Sequence, residues 1–321
     1  MPYILLVVSL GLLTLGAELL VRGSVEVARR AGLSSFFIGL TIVGFGTSTP
    51  ELAASMAAAL RGQGDIAVGN VVGSNIFNTA VILGIAALVC PIPVKVAAVR
   101  REGLIVVLAC AAPFGAMLTG GTIGRVLGGV MVAGLVAYLY SAYRIGKRDA
   151  QRELLAELET EIGIAPTKKA TPILWSIVFL AAGLALLIFG ARVLVDSAST
   201  IARGAGISEL VIGLTIVAAG TSMPELATSA VAAVRRQPDI AVGNVLGSNI
   251  FNILGILGVT CVVTPQTVAR QVFVLDAPVM LGLSVLVLPL MFSTSRLSRA
   301  EGVALLAAYG GYLAALFLMA G

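Results

Sequence analysis

The sequence predicts an all-α polytopic membrane protein, with ten transmembrane helices arranged as two inverted five-helix repeats. Three observations carry this. The 321 residues are 58% hydrophobic and only 12% charged, with a mean hydropathy of +1.04, whereas a soluble chain has about 25% charged residues. Apolar runs long enough to cross a bilayer as helix recur along the chain. The second half also repeats the first at a constant offset, with Ile38-Gly39-Leu40-Thr41-Ile42-Val43 returning letter for letter as Ile212-Gly213-Leu214-Thr215-Ile216-Val217.

In order, the expected spans are 3–21, 35–60, 66–89, 103–119, 124–143, 172–195, 209–234, 240–262, 275–292 and 301–319. The opening Met1-Pro2-Tyr3 leads into an apolar run without a positive leader, which reads as a first span rather than a signal peptide. The polar stretch from Arg144 to Lys169, with Glu153, Glu157, Glu159 and Glu161, reads as a solvated, partly helical linker. The expected organisation is therefore a first repeat over 1–143, a cytoplasmic linker over 144–171 and a second repeat over 172–321.

Of the 21 Lys and Arg residues, all but Arg61, Arg125, Arg192, Arg203 and Arg270 fall on the linker side of the ten spans. The positive-inside rule makes that side cytoplasmic and places both termini outside an inner, or plasma, membrane. The net charge of +5 carries no nucleic-acid footprint, since no basic patch is interleaved with aromatic residues. Cys90, Cys110 and Cys261 lie singly in apolar segments and read as packing residues. The absence of histidine removes HExxH metalloenzymes and most catalytic triads, so no enzyme is expected. No cofactor and no protein partner is evident beyond the lipid bilayer and the ions described next.

Each repeat holds one glutamate inside an apolar run: Glu51 after Gly46-Thr47-Ser48-Thr49-Pro50, and Glu225 after Gly220-Thr221-Ser222-Met223-Pro224. An intramembrane carboxylate is costly and marks a functional site by default, and here no basic residue lies in the membrane interior to pair it. Each preceding proline removes a helical hydrogen bond and frees carbonyls near Gly46 and Gly220. Such carbonyls need a cavity or an ion. The next span of each half carries Gly69, Gly73, Ser74, Asn75 and Asn78, or Gly243, Gly247, Ser248, Asn249 and Asn252. The small residues allow backbones to approach closely enough to share one site.

Two carboxylates about 5 Å apart repel by about 3 kcal/mol at an effective dielectric near 20, so a proton or cation must lie between them. The available ligands are hard oxygens: the carboxylates, the hydroxyls of Thr47, Ser48, Thr221 and Ser222, the amide oxygens of Asn78 and Asn252, and backbone carbonyls. Such a cage suits calcium or several sodium ions better than zinc or copper. Asn75 and Asn249 read equally as ligands or as interhelical hydrogen-bond residues. Asp65 and Asp239 read as capping or entrance residues. Glu18 with Arg22, and Arg192 with Asp196, read as local helical pairs.

The paired segments G-T-S-x-P-E and G-S-N-I-F-N, one set in each inverted half, resemble the alpha-repeats of the cation/calcium antiporter superfamily, and prokaryotic sodium/calcium exchangers in particular. The resemblance spans nearly the whole chain. It implies ten helices, a central calcium site, and alternating access by sliding of the first and sixth helices against the other eight. It also implies that Glu51 and Glu225 are the main calcium ligands and serve sodium. Thr47, Ser48, Ser74, Thr221, Ser222 and Ser248 would complete the sites, with carbonyls near Gly44 and Ala218. Some members carry aspartate in one copy of the position held here by Asn78 and Asn252, so this site lacks a third carboxylate.

The expected function is thus electrogenic antiport of Ca2+ against Na+. The alternative within transport is Ca2+/H+ antiport, with the two glutamates taking protons. A cation channel would instead repeat a filter around an oligomer axis.

Overall fold

The computed structural model describes residues 2–112, 114, 121–160, 172–206, 216, 218–293 and 295–320. These residues are almost entirely helical. In chain order the helices are α1 (Pro2–Ala31), α2 (Ser35–Thr47), α3 (Thr49–Leu60), α4 (Gly64–Val89), α5 (Val96–Cys110), α6 (Arg125–Thr160), α7 (Ile173–Gly204), α8 (Ala218–Thr221), α9 (Met223–Val234), α10 (Pro238–Val263), α11 (Val272–Phe292) and α12 (Arg299–Ala320). Wider π-helical turns interrupt α2 at Gly39–Val43, α4 at Asn78–Ile82, α10 at Phe251–Leu257 and α11 at Val272–Asp276.

Six helices among the described residues are long and apolar enough to cross a membrane: α1, α4, α6, α7, α10 and α11. Helices α2 and α3, bent by 43° at their junction, make a seventh if taken as one span. These coincide with seven of the expected spans. The expected 209–234 is met by α8 and α9, with 207–215 and 217 outside the described residues, and the expected 301–319 by α12.

Two boundaries differ from expectation. The span expected at 103–119 is met by α5, which starts at Val96 and ends at Cys110, while 113 and 115–120 lie outside the described residues. Residues 96–102, outside the expected span, are helical here, with Arg101 Nε lying 2.7 Å from Glu102 Oε1. The expected linker, read as partly helical, opens as a continuation of α6 that runs past the expected span end at 143 to Thr160. Its Ala, Leu, Glu, Gln and Arg residues are good helix formers and favour continuation. Residues 161–171 of the expected linker lie outside the described set.

Helices α4 and α10 are the centre of the molecule. In each, 83% of the apolar window is buried, against 33% or less for α1, α6 and α7, so protein rather than surroundings encloses these two. Val68, Val72, Ile76, Ile240, Val245 and Ile250 fill the core around them. The outer helices turn large apolar groups outward, among them Tyr3, Val7, Leu174, Trp175 and Phe189. A hydrocarbon phase accepts such a surface because a helix pairs the N–H and C=O groups of its interior within itself.

Close helix approach is set by glycines. A Cβ on Gly243 would lie 2.7 Å from the Phe36 carbonyl, and one on Gly247 only 2.0 Å from the Leu40 carbonyl, so α2 and α10 touch backbone to backbone. Gly69 and Gly73 of α4 have no such neighbour within 4 Å among the described residues. Helices α1 and α7 run antiparallel at similar closeness, with Gly16 against Leu187 and Gly23 against Ser176.

Two short ladders tie connections together. Strand β1 (Ile92–Pro93) pairs with β4 (Arg296–Leu297), and β2 (Thr122–Ile123) pairs with β3 (Gln266–Thr267), both antiparallel. The partners Ile92↔Leu297 and Gln266↔Ile123 exchange under a shift of 174 positions, so each ladder joins one strand from each half and is the counterpart of the other.

Candidate ion-binding site

The site begins at two helix breaks. Ser48 (φ −81°, ψ 7°) separates α2 from α3, and Ser222 (φ −89°, ψ 8°) separates α8 from α9. Pro50 and Pro224 stand in the first turn of the new helix, where a missing N–H costs nothing. Glu51 and Glu225 follow immediately, so each carboxylate sits in a first turn, at the positive end of the helix dipole. Both are buried, with 1% and 0% exposure. Ionised carboxylates at that depth require compensation.

The compensation comes from the opposite half. Ser48 Oγ donates to Glu225 Oε1 at 2.9 Å, and Ser222 Oγ donates to Glu51 Oε1 at 3.0 Å. Ser74 Oγ lies 3.3 Å from Ser222 Oγ, drawing α4 into the same cluster. Thr47 Oγ1 stands 3.1 Å from both Asn244 Oδ1 and the Val43 carbonyl, and Ser248 Oγ donates to the Gly44 carbonyl at 3.3 Å. No lysine, arginine or histidine contacts either carboxylate among the described residues.

Four asparagines form a second layer. Asn78 Nδ2 donates to Asn249 Oδ1 at 3.1 Å and Asn252 Nδ2 to Asn75 Oδ1 at 3.0 Å. Asn75 Nδ2 in turn donates to the Asn249 carbonyl at 3.1 Å, and Asn249 Nδ2 to Thr79 Oγ1 at 2.9 Å. Asn75 and Asn249 therefore each engage both amide ends in hydrogen bonds to neighbours, as an interhelical hydrogen-bond role requires. Asn78 and Asn252 each keep one atom free of partners.

Four buried oxygens of this cluster have no hydrogen-bond partner: Glu51 Oε2, Glu225 Oε2, Asn78 Oδ1 and Asn252 Oδ1. Two come from each half, at equivalent repeat positions. A buried acceptor without a donor is costly, about 1–3 kcal/mol for a neutral group and more for a charged one. Orphaned hard acceptors with two carboxylates among them form a donor set for a hard cation. Among the described residues no group of three or more His, Cys, Asp or Glu could hold a metal, so a cation here would need amide, hydroxyl or carbonyl oxygens beside the two carboxylates.

Of the expected site residues, Glu51, Glu225, Thr47, Ser48, Ser74, Ser222, Ser248, Asn78 and Asn252 fall in this cluster or on the same helix faces. Thr221 ends α8 one residue before Ser222, and Ala218 opens the same helix. The Gly44 carbonyl already accepts the Ser48 N–H at 3.1 Å as well as the Ser248 hydroxyl. Asp65 and Asp239 lie within the first turns of α4 and α10, and Asp239 pairs with Lys95 at 2.7 Å. Glu18 pairs with Arg22 as expected, and also with Arg235 at 2.7 Å. No ion pair joins Arg192 to Asp196 among the described residues.

Two sets of residues escaped the sequence reading. Asn70 and Asn244 donate to the carbonyls of Glu51 and Glu225, both at 3.3 Å, and to Ser55 and Ser229, both at 2.9 Å. They hold the start of α3 and α9 against α4 and α10. Outside the site, Glu102 is buried in α5, and its repeat counterpart Asp276 in α11 accepts from Tyr312 at 3.0 Å. Their placement one repeat apart was the available signal.

Comparison with known proteins agrees with this chemistry. The sequence model of the family described as sodium/calcium exchanger protein matches residues 1–144 and 175–318. The chain is 39% identical over 319 residues to the putative antiporter CaxA of Alkalimonas amylolytica, covering 98% of both chains. It is 30% identical over 343 residues to the sodium/calcium exchanger MaX1 of Methanosarcina acetivorans, again covering 98% of both. Its fold superposes on the sodium-calcium exchanger NCX_Mj, soaked with 10 mM Na+ and zero Ca2+, with a TM-score of 0.81, 30% identity and 98% coverage of each chain. These relatives are exchangers rather than enzymes. The chain is a multi-pass membrane protein and belongs to the sodium/calcium exchanger family.

Proposed function

We propose that this protein is a secondary active antiporter that exchanges Ca2+ for Na+ by alternating access at a central site shared by both repeats. The four orphaned oxygens, two from each half, carry the reading. One Ca2+ matches the charge of Glu51 and Glu225 and takes oxygens in flexible number. Sodium ions compete for the same oxygens, so occupancy by one species excludes the other, and counter-flux follows when only loaded states convert between the two sides.

Ten spans in two inverted five-helix repeats, 1–143 and 172–321, joined by a cytoplasmic linker, accommodate this mechanism. A site at the interface of inverted repeats lets one half rock against the other around a fixed centre. In this reading the plasma membrane holds the chain with both termini outside.

The test is radiolabelled calcium uptake into proteoliposomes loaded with sodium, choline or acid buffer, in sodium-free, pH-matched external solution. Internal sodium is expected to drive uptake in the wild type and not in Glu51→Gln or Glu225→Gln. Uptake driven only by an acid interior would replace sodium with protons, and uptake without any counter-gradient would replace the antiporter with a channel.

A further inference from the structure

We infer that Asn75 and Asn249 are positioning residues that fix which end of the Asn252 and Asn78 amides faces the ion. This rests on the ion site proposed above. An asparagine side chain has an acceptor oxygen and a donor NH2 related by a half-turn of the amide. Only the oxygen can coordinate a cation, so a site that uses an amide must hold it one way round.

The hydrogen bonds supply that hold. The Asn249 backbone carbonyl can only accept, so the Asn75 NH2 must face it, at 3.1 Å. That leaves Asn75 Oδ1 as the group facing Asn252, and an acceptor there demands the Asn252 NH2, at 3.0 Å. Asn252 Oδ1 is then the free end, and it is buried without a partner. Turning Asn252 over would set two amide oxygens against each other and point a donor toward the cation.

The second chain of contacts runs through Thr79. Asn249 Nδ2 bonds Thr79 Oγ1 at 2.9 Å, Asn249 Oδ1 receives the Asn78 NH2 at 3.1 Å, and Asn78 Oδ1 is left free. Asn78 stands one turn after Ser74, whose hydroxyl is 3.3 Å from that of Ser222, the donor to Glu51. Residues four apart share a helix face, so Asn78 lies on the face of α4 that carries Ser74. Both braces cross between halves, so each half orients a ligand of the other.

The experiment is a pair of double-mutant cycles on sodium-driven calcium uptake, reading half-saturating calcium and maximal rate per folded protein. Asn75→Ala and Asn252→Ala are each expected to raise half-saturating calcium about tenfold with little change in maximal rate, and the double variant to rise no further, because both remove one oriented oxygen. Asn249→Ala with Asn78→Ala is expected to behave alike, and decides the matter if Asn75→Ala does not fold. Crossed pairs, such as Asn75→Ala with Asn78→Ala, are expected to multiply. Multiplying effects within Asn75/Asn252 and Asn249/Asn78 as well would overturn the positioning role while leaving the ion site intact. A wild type that carries no calcium against sodium would overturn the site itself.

Discussion

Ser48 donates its hydroxyl proton to Glu225, 2.9 Å away and 177 positions later in the chain. Its counterpart Ser222 does the same for Glu51, so each glutamate takes a hydroxyl donor from the opposite half. A hydrogen bond to a buried carboxylate is worth about 1.5–3 kcal/mol. Ser48→Ala and Ser222→Ala are therefore each expected to weaken apparent calcium affinity by about 10- to 100-fold, through equivalent losses. Calcium titration of sodium-driven uptake checks this, and a variant indistinguishable from the wild type would remove that serine from the site.

The contact between α2 and α10 leaves no room at Gly247, where a Cβ would meet the Leu40 carbonyl. Overpacking against backbone typically costs about 1–3 kcal/mol. Gly247→Ala is expected to lower the melting temperature in detergent by several degrees, whereas Gly11→Ala, with nothing within 4 Å, is expected to leave it unchanged or raise it. Equal melting temperatures for all three proteins would contradict the close packing.

Asp276 is buried and takes a hydroxyl donor from Tyr312 at 3.0 Å, which ties α11 to α12 far from the ion site in sequence. Tyr312→Phe removes the donor and leaves a buried carboxyl oxygen unsatisfied, a loss of about 1–3 kcal/mol. The expected outcome is reduced thermal stability with half-saturating calcium unchanged. A calcium shift without a stability loss would place Asp276 in the transport machinery instead.

Arg235 reaches Glu18 at 2.7 Å and connects the end of α9 to α1, but its side chain is 53% exposed and Arg22 competes for the same carboxylate. Exposed ion pairs contribute about 0–1 kcal/mol. Arg235→Ala is expected to change stability by less than about 1 kcal/mol, and less still in high salt. A larger loss in denaturant or thermal unfolding would show that the pair holds α1 in place.

The sequence determined the membrane class, the duplication and the two intramembrane glutamates, because apolar runs, repeated polar letters and lone carboxylates are properties of the chain read one residue at a time. The Thr, Ser and Asn candidates were legible for the same reason, standing beside Glu51 and Glu225 or one helix along. Helix ends near charges were less legible. Helix α5 begins at Val96 and carries the Arg101–Glu102 pair within it, and α6 runs on past the expected span end at 143.

Only the tertiary structure decided who bonds to whom. That Ser48 donates to Glu225, that Asn252 donates to Asn75, and that Asn70 and Asn244 hold the starts of the glutamate helices all depend on the meeting of helices distant in the chain. The glycine contacts of α2 with α10 set how close those helices lie, and their π-helical turns change which residues share a face. Each such bond needs the rotation of a helix about its axis to within a fraction of a turn. Local sequence leaves that rotation free, and packing against the opposite half fixes it.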